Sequence, residues 1–316
     1  MATRSRSRSH SYSVSDPAVK TSPEEELLAQ LIGLLEAGVS PWQRPWSSPL
    51  RYQNLVSGHA FSGGNPALLA MQCAARASTD RLFCTATQAR SKGWHPAKGS
   101  KAYRIFQPVP ITIRPDESAG GEGQSAQEGA VRSFTRFRAI PLFAASDLAG
   151  DGVTDAINAT VSRLSETFTH QPLAALERLS PWENHIHRDP SGDRAFYAPA
   201  LDRITIPAAS RFAHIEHYGA TLCHELIHLS GHRSRLNRPG ITSNCDFGSP
   251  EYAEEELIAE VGAFLLCEDL GIGSVIEHHA SYLDSWLQVL SRGPRALTST
   301  LSAAARAAKL ILPPVS

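Results

Sequence analysis

The residues best suited to catalysis in this chain are His224, Glu225 and His228, which form the pattern HExxH. Residues four apart share one face of a helix, so the two imidazoles can bind one zinc ion together. Glu225 then lies beside the ion, where its carboxylate can act as general base. Buried imidazoles and carboxylates are costly without partners. The residues around the motif are apolar and predict a buried helix: Thr221, Leu222, Leu226, Ile227 and Leu229.

A catalytic zinc site needs a third protein ligand and one open position. One pattern takes a third histidine ten residues after the first, but Ser234 stands there and leaves only His232 nearby. Another pattern takes a glutamate from a later helix. We favour Glu256, with Glu255 and His232 as alternatives. Glu260 lies one turn beyond Glu256 and is expected to orient a ligand histidine.

The chemistry that such a site predicts is hydrolysis. Zinc lowers the pKa of its bound water toward about 7 and polarises a carbonyl group, while Glu225 relays the proton. A strand within residues 195–206 could offer an edge to an extended peptide. Candidates for stabilising the oxyanion are Tyr218, Tyr252, His214 and His217.

The composition predicts a globular protein of the cytoplasm. The chain has 316 residues, 42% of them hydrophobic and 19% charged, which suits one large or two ordinary domains. No apolar run approaches the ~18 residues of a membrane span. Five cysteines without a CxxC pattern argue against a disulfide framework and for a reducing compartment.

Charge divides the chain into two unlike halves. Residues 1–140 hold 17 Lys and Arg against 10 Asp and Glu, a net charge of +7. Residues 141–316 hold 13 against 21, a net charge of −8. Opposite charges favour different partners, a polyanion for the first half and a metal or cationic groups for the second.

Hydrophobic spacing, capping residues and turn residues predict a class α+β protein. Residues 1–20 are expected to be a disordered basic tail, and 115–130 a surface loop. We place a domain boundary after residue 148. The predicted elements are helices at about 23–37, 67–77, 218–229 and 250–270, with two short strands within 194–207.

Aromatic and basic residues interleave between residues 42 and 104. This mixture is typical of a groove for single-stranded DNA, because aromatic side chains stack on bases for ~1–3 kcal/mol each while cations bind the backbone. The residues concerned are Trp42, Trp46, Phe83, Trp94, Arg44, Arg51, Arg81, Arg90, Lys92, Lys98, Lys101 and Arg104.

Two sets of motifs resemble one known family. The first set is Pro41–Trp46, Asn54 with Gly58 and Phe61, Gly64–Asn65, Thr87–Ala89, Gly93 and Lys98–Lys101. The second set is Tyr197–Pro199, Asp202–Ile204, Ile206–Pro207, Thr221–Glu225, His228, Ser230–His232, Ser234–Leu236, Arg238 and Tyr252–Glu260. Together they resemble the antirestriction protein ArdC and the N-terminal regions of plasmid TraC primases. Phe83–Cys84 stands where a tryptophan is commoner, and Phe61 replaces a tyrosine.

The resemblance implies a single-stranded-DNA-binding domain over residues 21–148 and a zincin-like metallopeptidase domain over 149–316. It implies an antirestriction role for a mobile element, with restriction or repair proteins as peptide substrates. The alternatives are a non-catalytic zincin scaffold and a primase accessory protein. The residues expected to contact DNA are Trp42, Arg44, Trp46, Asn54, Asn65, Gln88, Trp94, Lys98 and Lys101.

Overall fold

The computed structural model describes residues 21–42, 50–113, 132–167, 171–243, 248–274 and 283–313. The predicted basic tail, the predicted surface loop at 115–130, Arg44 and Trp46 lie outside these residues.

The described chain mixes helices and sheets, and the predicted α+β class is confirmed. The elements of the first half are α1 (Pro23–Glu36), β1 (Gln53–Asn54), α2 (Asn65–Ala75), β2 (Leu82–Cys84), α3 (Ala86–Ser91), β3 (His95–Pro96), β4 (Tyr103–Ile113), β5 (Arg132–Ala144) and β6 (Leu148–Ala149).

The first half is organised around a four-stranded sheet of order β1-β2-β5-β4. Strands β1 and β2 are parallel, whereas β5 runs antiparallel to both of its neighbours. Strands β3 and β6 form a separate antiparallel pair, and the predicted boundary after residue 148 falls within β6. Helix α1 begins with a capping box between Ser22 and Glu25.

The elements of the second half are α4 (Val153–Thr167), α5 (Pro172–Glu177), β7 (Ile186–Asp189), β8 (Phe196–Ala198), β9 (Arg203–Pro207), α6 (Ile215–Ser230), α7 (Pro239–Thr242), α8 (Pro250–Leu270), α9 (Leu283–Leu290) and α10 (Pro294–Ile311).

A three-stranded sheet of order β7-β9-β8 lies beside helix α6. Strand β9 is parallel to β7 and antiparallel to β8. The turn between β8 and β9 contains Asp202 in the left-handed region, at φ 48°. These are the two short strands that the sequence predicts, with β8 at an edge.

The helices begin and end near the proline and glycine residues that the sequence places at their ends. Helix α8 spans the predicted 250–270 and ends at Gly271, whose φ of 71° is the left-handed geometry that favours glycine. Helix α6 begins at Ile215, three residues before the predicted start, and α2 begins at Asn65 with Pro66 in its first turn.

The two halves share one hydrophobic cluster, which includes Leu31, Leu68, Leu266 and Leu301. A buried ion pair also joins them, because the Arg81 guanidinium lies 2.9 Å from the Glu268 carboxylate on α8. The guanidinium stacks over Tyr52 at 4.1 Å. The second half therefore folds against the first half.

Trp42 belongs to this shared core. Its side chain is 1% exposed, and its indole N–H donates to the Ala67 carbonyl at 3.2 Å. Its own carbonyl accepts a hydrogen bond from Ser274 in the second half. This burial corrects the expectation that Trp42 stacks on DNA bases, because neither face of a buried ring is available to a base.

Trp42→Ala should therefore lower the free energy of unfolding by about 3–5 kcal/mol, as other large-to-small core substitutions do. Urea denaturation measures the change. Leu173→Ala, at a side chain that is 66% exposed, is the control and should change stability little. A Trp42→Ala protein with unchanged stability and lost DNA binding would contradict the structural role.

Candidate metal centre

Helix α6 carries the HExxH motif along the face that packs against α8. The Nε2 atoms of His224 and His228 lie 3.1 Å apart. The Glu256 carboxylate of α8 reaches both rings, with Oε2 3.5 Å from His224 Nε2 and Oε1 3.6 Å from His228 Nε2. The structure thus brings together the three residues that the sequence favours as ligands.

A close approach of the two helices makes this convergence possible. Gly262 of α8 faces Ile227 of α6, and a Cβ atom at position 262 would lie 2.8 Å from the Ile227 side chain. Any larger residue would separate the helices or displace Ile227. Glycine therefore lets α8 lie close enough for Glu256 to reach the histidines.

The donor set fits a divalent metal ion. Ligand atoms of His224, His228 and Glu256 all lie within 4.8 Å of one another. Tetrahedral zinc with bonds of about 2.1 Å separates its ligands by roughly 3.4 Å, which agrees with the observed 3.1–3.6 Å. Two imidazoles and one carboxylate also leave a fourth position open.

The electrostatics of the cluster favour a cation. Burial alone would lower the pKa of His224, but the Glu256 carboxylate raises it to about 9. Burial opposes ionisation of Glu256, yet His228 and His224 lower its pKa to about 2. The carboxylate is therefore charged at neutral pH and available to a metal ion.

Glu225 lies in the same cluster as His224 and Glu256, but different surroundings set the pKa of its carboxylate. Its side chain is buried, and this burial raises its pKa, an effect that the neighbouring histidines oppose. The backbone N–H of Tyr197, on the edge strand β8, also lowers the pKa of this carboxylate. A carboxylate with increased proton affinity beside a cation site is suited to proton transfer.

Glu255 contacts His228 from behind the cluster. Its Oε1 atom lies 3.2 Å from His228 Nδ1, while Arg238 donates to both carboxylate oxygens at 2.6 and 2.8 Å. Arg238 also donates to Ser230 and to the Ile227 carbonyl. Glu255 is thus placed to orient a ligand histidine, a role that the sequence analysis assigned to Glu260, and Arg238 holds it there.

The other two acidic or imidazole candidates lie differently. Glu260 accepts a hydrogen bond from Ser40 of the first half at 3.1 Å and contributes to the raised pKa of His224. His232 is outside the cluster, and its Nδ1 atom lies 2.8 Å from the Ser234 hydroxyl. The geometry therefore favours Glu256 over the alternative ligands Glu255 and His232.

A polar network attaches the edge strand to the end of α6. The Tyr197 hydroxyl donates to Asp202 at 2.7 Å, and Arg235 forms an ion pair with the same carboxylate. Arg235 also donates to the Leu229 carbonyl at 2.7 Å. This network fixes β8, whose backbone contacts Glu225, relative to the metal cluster. In the sequence, Tyr197, Asp202 and Arg235 stand out only as parts of the family resemblance.

Of the tyrosines considered for stabilising an oxyanion, Tyr252 contacts the cluster. Its side chain helps to lower the pKa of the Glu256 carboxylate. The Tyr218 hydroxyl accepts instead from Arg188 at 3.0 Å. His214 and His217 pack edge to face with each other, with ring centroids 5.3 Å apart.

Four of the residues expected to contact DNA are bound to the protein itself. Asn54 donates to the Gln88 side chain at 2.9 Å, and the Asn65 amide exchanges two hydrogen bonds with the Phe106 backbone. Trp94 is 7% exposed and donates to the Asp151 carbonyl. The burial of Trp94 corrects the expectation that its ring stacks on bases. Direct DNA contacts of Asn54, Asn65 and Gln88 stay predictions.

Two of the expected DNA contacts, Lys98 and Lys101, are exposed.

No helix among the described residues combines the length and apolar character needed to cross a membrane.

The fold closely matches a solved antirestriction protein. The metal-free crystal structure of antirestriction ArdC from plasmid R388 aligns with a TM-score of 0.69 and 26% identity, over 92% of this chain and 97% of that one. Residues 22–139 match the family described as the N-terminal domain of anti-restriction factor ArdC. Residues 178–306 match the zincin-like metallopeptidase family. The chain is an ArdC-type protein.

Other relatives agree with this ArdC-type assignment. The Mn(II)-bound crystal structure of R388 ArdC aligns with a TM-score of 0.67, at 26% identity. An Escherichia coli DNA primase TraC is 31% identical over 86% of this chain, but the chain spans only 18% of that primase. The uncharacterized protein y4eC of Sinorhizobium fredii is 28% identical over 91% of both chains. The family and the cluster geometry together support a divalent-metal site.

Glu256→Ala should remove most bound metal from the purified protein, because two imidazoles alone form an incomplete site. Elemental analysis after dialysis against trace zinc measures the content. Glu251→Ala, at an exposed position in the first turn of α8, is the matched control and should keep one equivalent. Equal zinc in both variants would show that Glu256 is not a ligand.

Proposed function

We propose that this ArdC-type protein binds single-stranded DNA and cleaves peptide bonds at a zinc ion, and so protects the DNA of a mobile element from restriction. The observation that carries the peptidase part is the convergence of His224, His228 and Glu256 beside Glu225. Restriction or repair proteins are the proposed substrates.

The residues of the cluster have different roles in the proposed hydrolysis. A zinc ion held by the three ligands would supply a Lewis acid that polarises the scissile carbonyl and acidifies water. Glu225 takes one proton from the attacking water as its oxygen bonds to the carbonyl carbon. The same carboxylate then delivers that proton to the leaving nitrogen as the C–N bond breaks.

Strand β8 is placed to hold the peptide. It forms one edge of its three-stranded sheet, and an extended peptide can add to such an edge through backbone hydrogen bonds. The Tyr197 N–H of this strand contacts Glu225. A peptide beside β8 would therefore lie next to the general base.

The DNA-binding part is supported by the basic first half and the exposed Lys98 and Lys101. We propose a cytoplasmic location. It agrees with the absence of disulfide bonds among the buried cysteines that the structure describes, namely Cys73, Cys84, Cys223 and Cys267.

Glu225→Gln separates catalysis from a scaffold role. The amide keeps the size of the side chain but cannot accept a proton, so restriction protection in cells should be lost if protection requires hydrolysis. Zinc content and oligonucleotide affinity should stay at the wild-type level. Full protection by the variant would contradict the catalytic proposal and favour an inert zincin scaffold.

A further inference from the structure

A cavity of about 870 Å³ opens between the two halves of the chain, away from the metal cluster. One wall consists of residues 59–66 with parts of β4 and β5, and the opposite wall consists of α10 and the end of α8. We name it the α10 cavity. Its size is within the range of about 300–1,000 Å³ that is usual for ligand sites.

The α10 cavity is a separate site from the metal centre. Glu256 lies near the start of α8, whereas Glu268 and Asp269 line the cavity at its end. Twelve residues of helix separate Glu256 from Glu268, which at 1.5 Å per residue is about 18 Å. A ligand in the cavity would therefore leave the metal cluster accessible.

The charges of the α10 cavity favour an anionic ligand. Its four cationic side chains come from both halves, and its two carboxylates are already neutralised. Arg81 pairs with Glu268, and Arg51 pairs with Asp269 at 3.2 Å. The four cations are Arg51, Arg178, Arg306 and Lys309, and because Arg51 neutralises Asp269, the other three carry the excess positive charge.

Aromatic side chains on the wall formed by residues 59–66, β4 and β5 can stack on bases. Phe137 is 42% exposed, so part of its ring is accessible to a ligand. Phe106 packs edge to face against it, with ring centroids 6.4 Å apart, and so holds the ring in place. Phe61 also lines the cavity. Cations beside exposed rings are the combination that binds single-stranded nucleic acid.

We propose that the α10 cavity holds a short segment of single-stranded DNA, with Phe137 stacked on a base and Arg306 and Lys309 contacting phosphates. This inference rests on the proposed DNA-binding function and assigns part of the binding site to the second half. Bases of a duplex are paired and stacked inside the helix, so they are not free to stack on Phe137.

The test measures fluorescence anisotropy of a labelled oligothymidylate with the full-length protein. Arg306→Glu and Lys309→Glu should each lower affinity, and Phe137→Ala should lower it about tenfold. The double charge reversal should reduce the slope of log affinity against log salt by about 1.4, since each single-strand phosphate contact contributes ~0.7. Thermal melting checks that each variant folds.

Arg295→Glu is the matched control, because it makes the same charge change at an exposed position of α10 that does not line the cavity. It should bind like the wild type. If it weakens binding as much as Arg306→Glu does, the effect is general electrostatics and the proposal fails.

The double variant Lys98→Glu and Lys101→Glu distinguishes failure of the cavity proposal from failure of the proposed DNA-binding function. If this pair abolishes binding while the cavity variants bind normally, DNA lies on the lysine face. The cavity proposal is then wrong, and the DNA-binding function stands. If the wild-type protein binds no oligothymidylate, the DNA-binding function itself fails.

Discussion

The metal centre depends on the packing of α6 against α8, which buries four carboxylates in one small volume. Glu225, Glu255, Glu256 and Glu260 are each no more than 6% exposed. Buried charges are stable only when they are paired. Arg238 neutralises one of them, a divalent cation held by His224 and His228 would balance two more, and burial raises the pKa of Glu260 to about 7.

The first half of the chain contributes to this arrangement. Ser40 donates to Glu260, and the buried Arg81–Glu268 pair anchors the far end of α8. The Trp42 carbonyl accepts from Ser274, just after α8. Because these contacts cross between the halves, the helix that carries Glu256 is positioned from both sides.

Local signals in the sequence predicted much of the site, and long-range contacts account for what was missed. HExxH spacing puts His224 and His228 on one helix face, and the acidic cluster about thirty residues later favours Glu256 as the third ligand, with Glu255 and His232 left open. Helix spacing favours Glu260, which shares a face with Glu256, and only the folded helix pair shows that Glu255 contacts His228. The prediction that Trp42 and Trp94 stack on bases is wrong for a similar reason. An aromatic residue near arginines in the sequence indicates a stacking surface, but tertiary packing buries both side chains.

Zinc-edge X-ray absorption of the purified protein tests the central claim most directly. The account predicts a first shell of nitrogen and oxygen atoms at about 2.0–2.1 Å, with the scattering of two imidazoles and no sulfur. A sulfur shell at about 2.3 Å would show a cysteine site elsewhere. That result, or a protein that retains no zinc, would contradict the convergence of α6 and α8 on one metal ion.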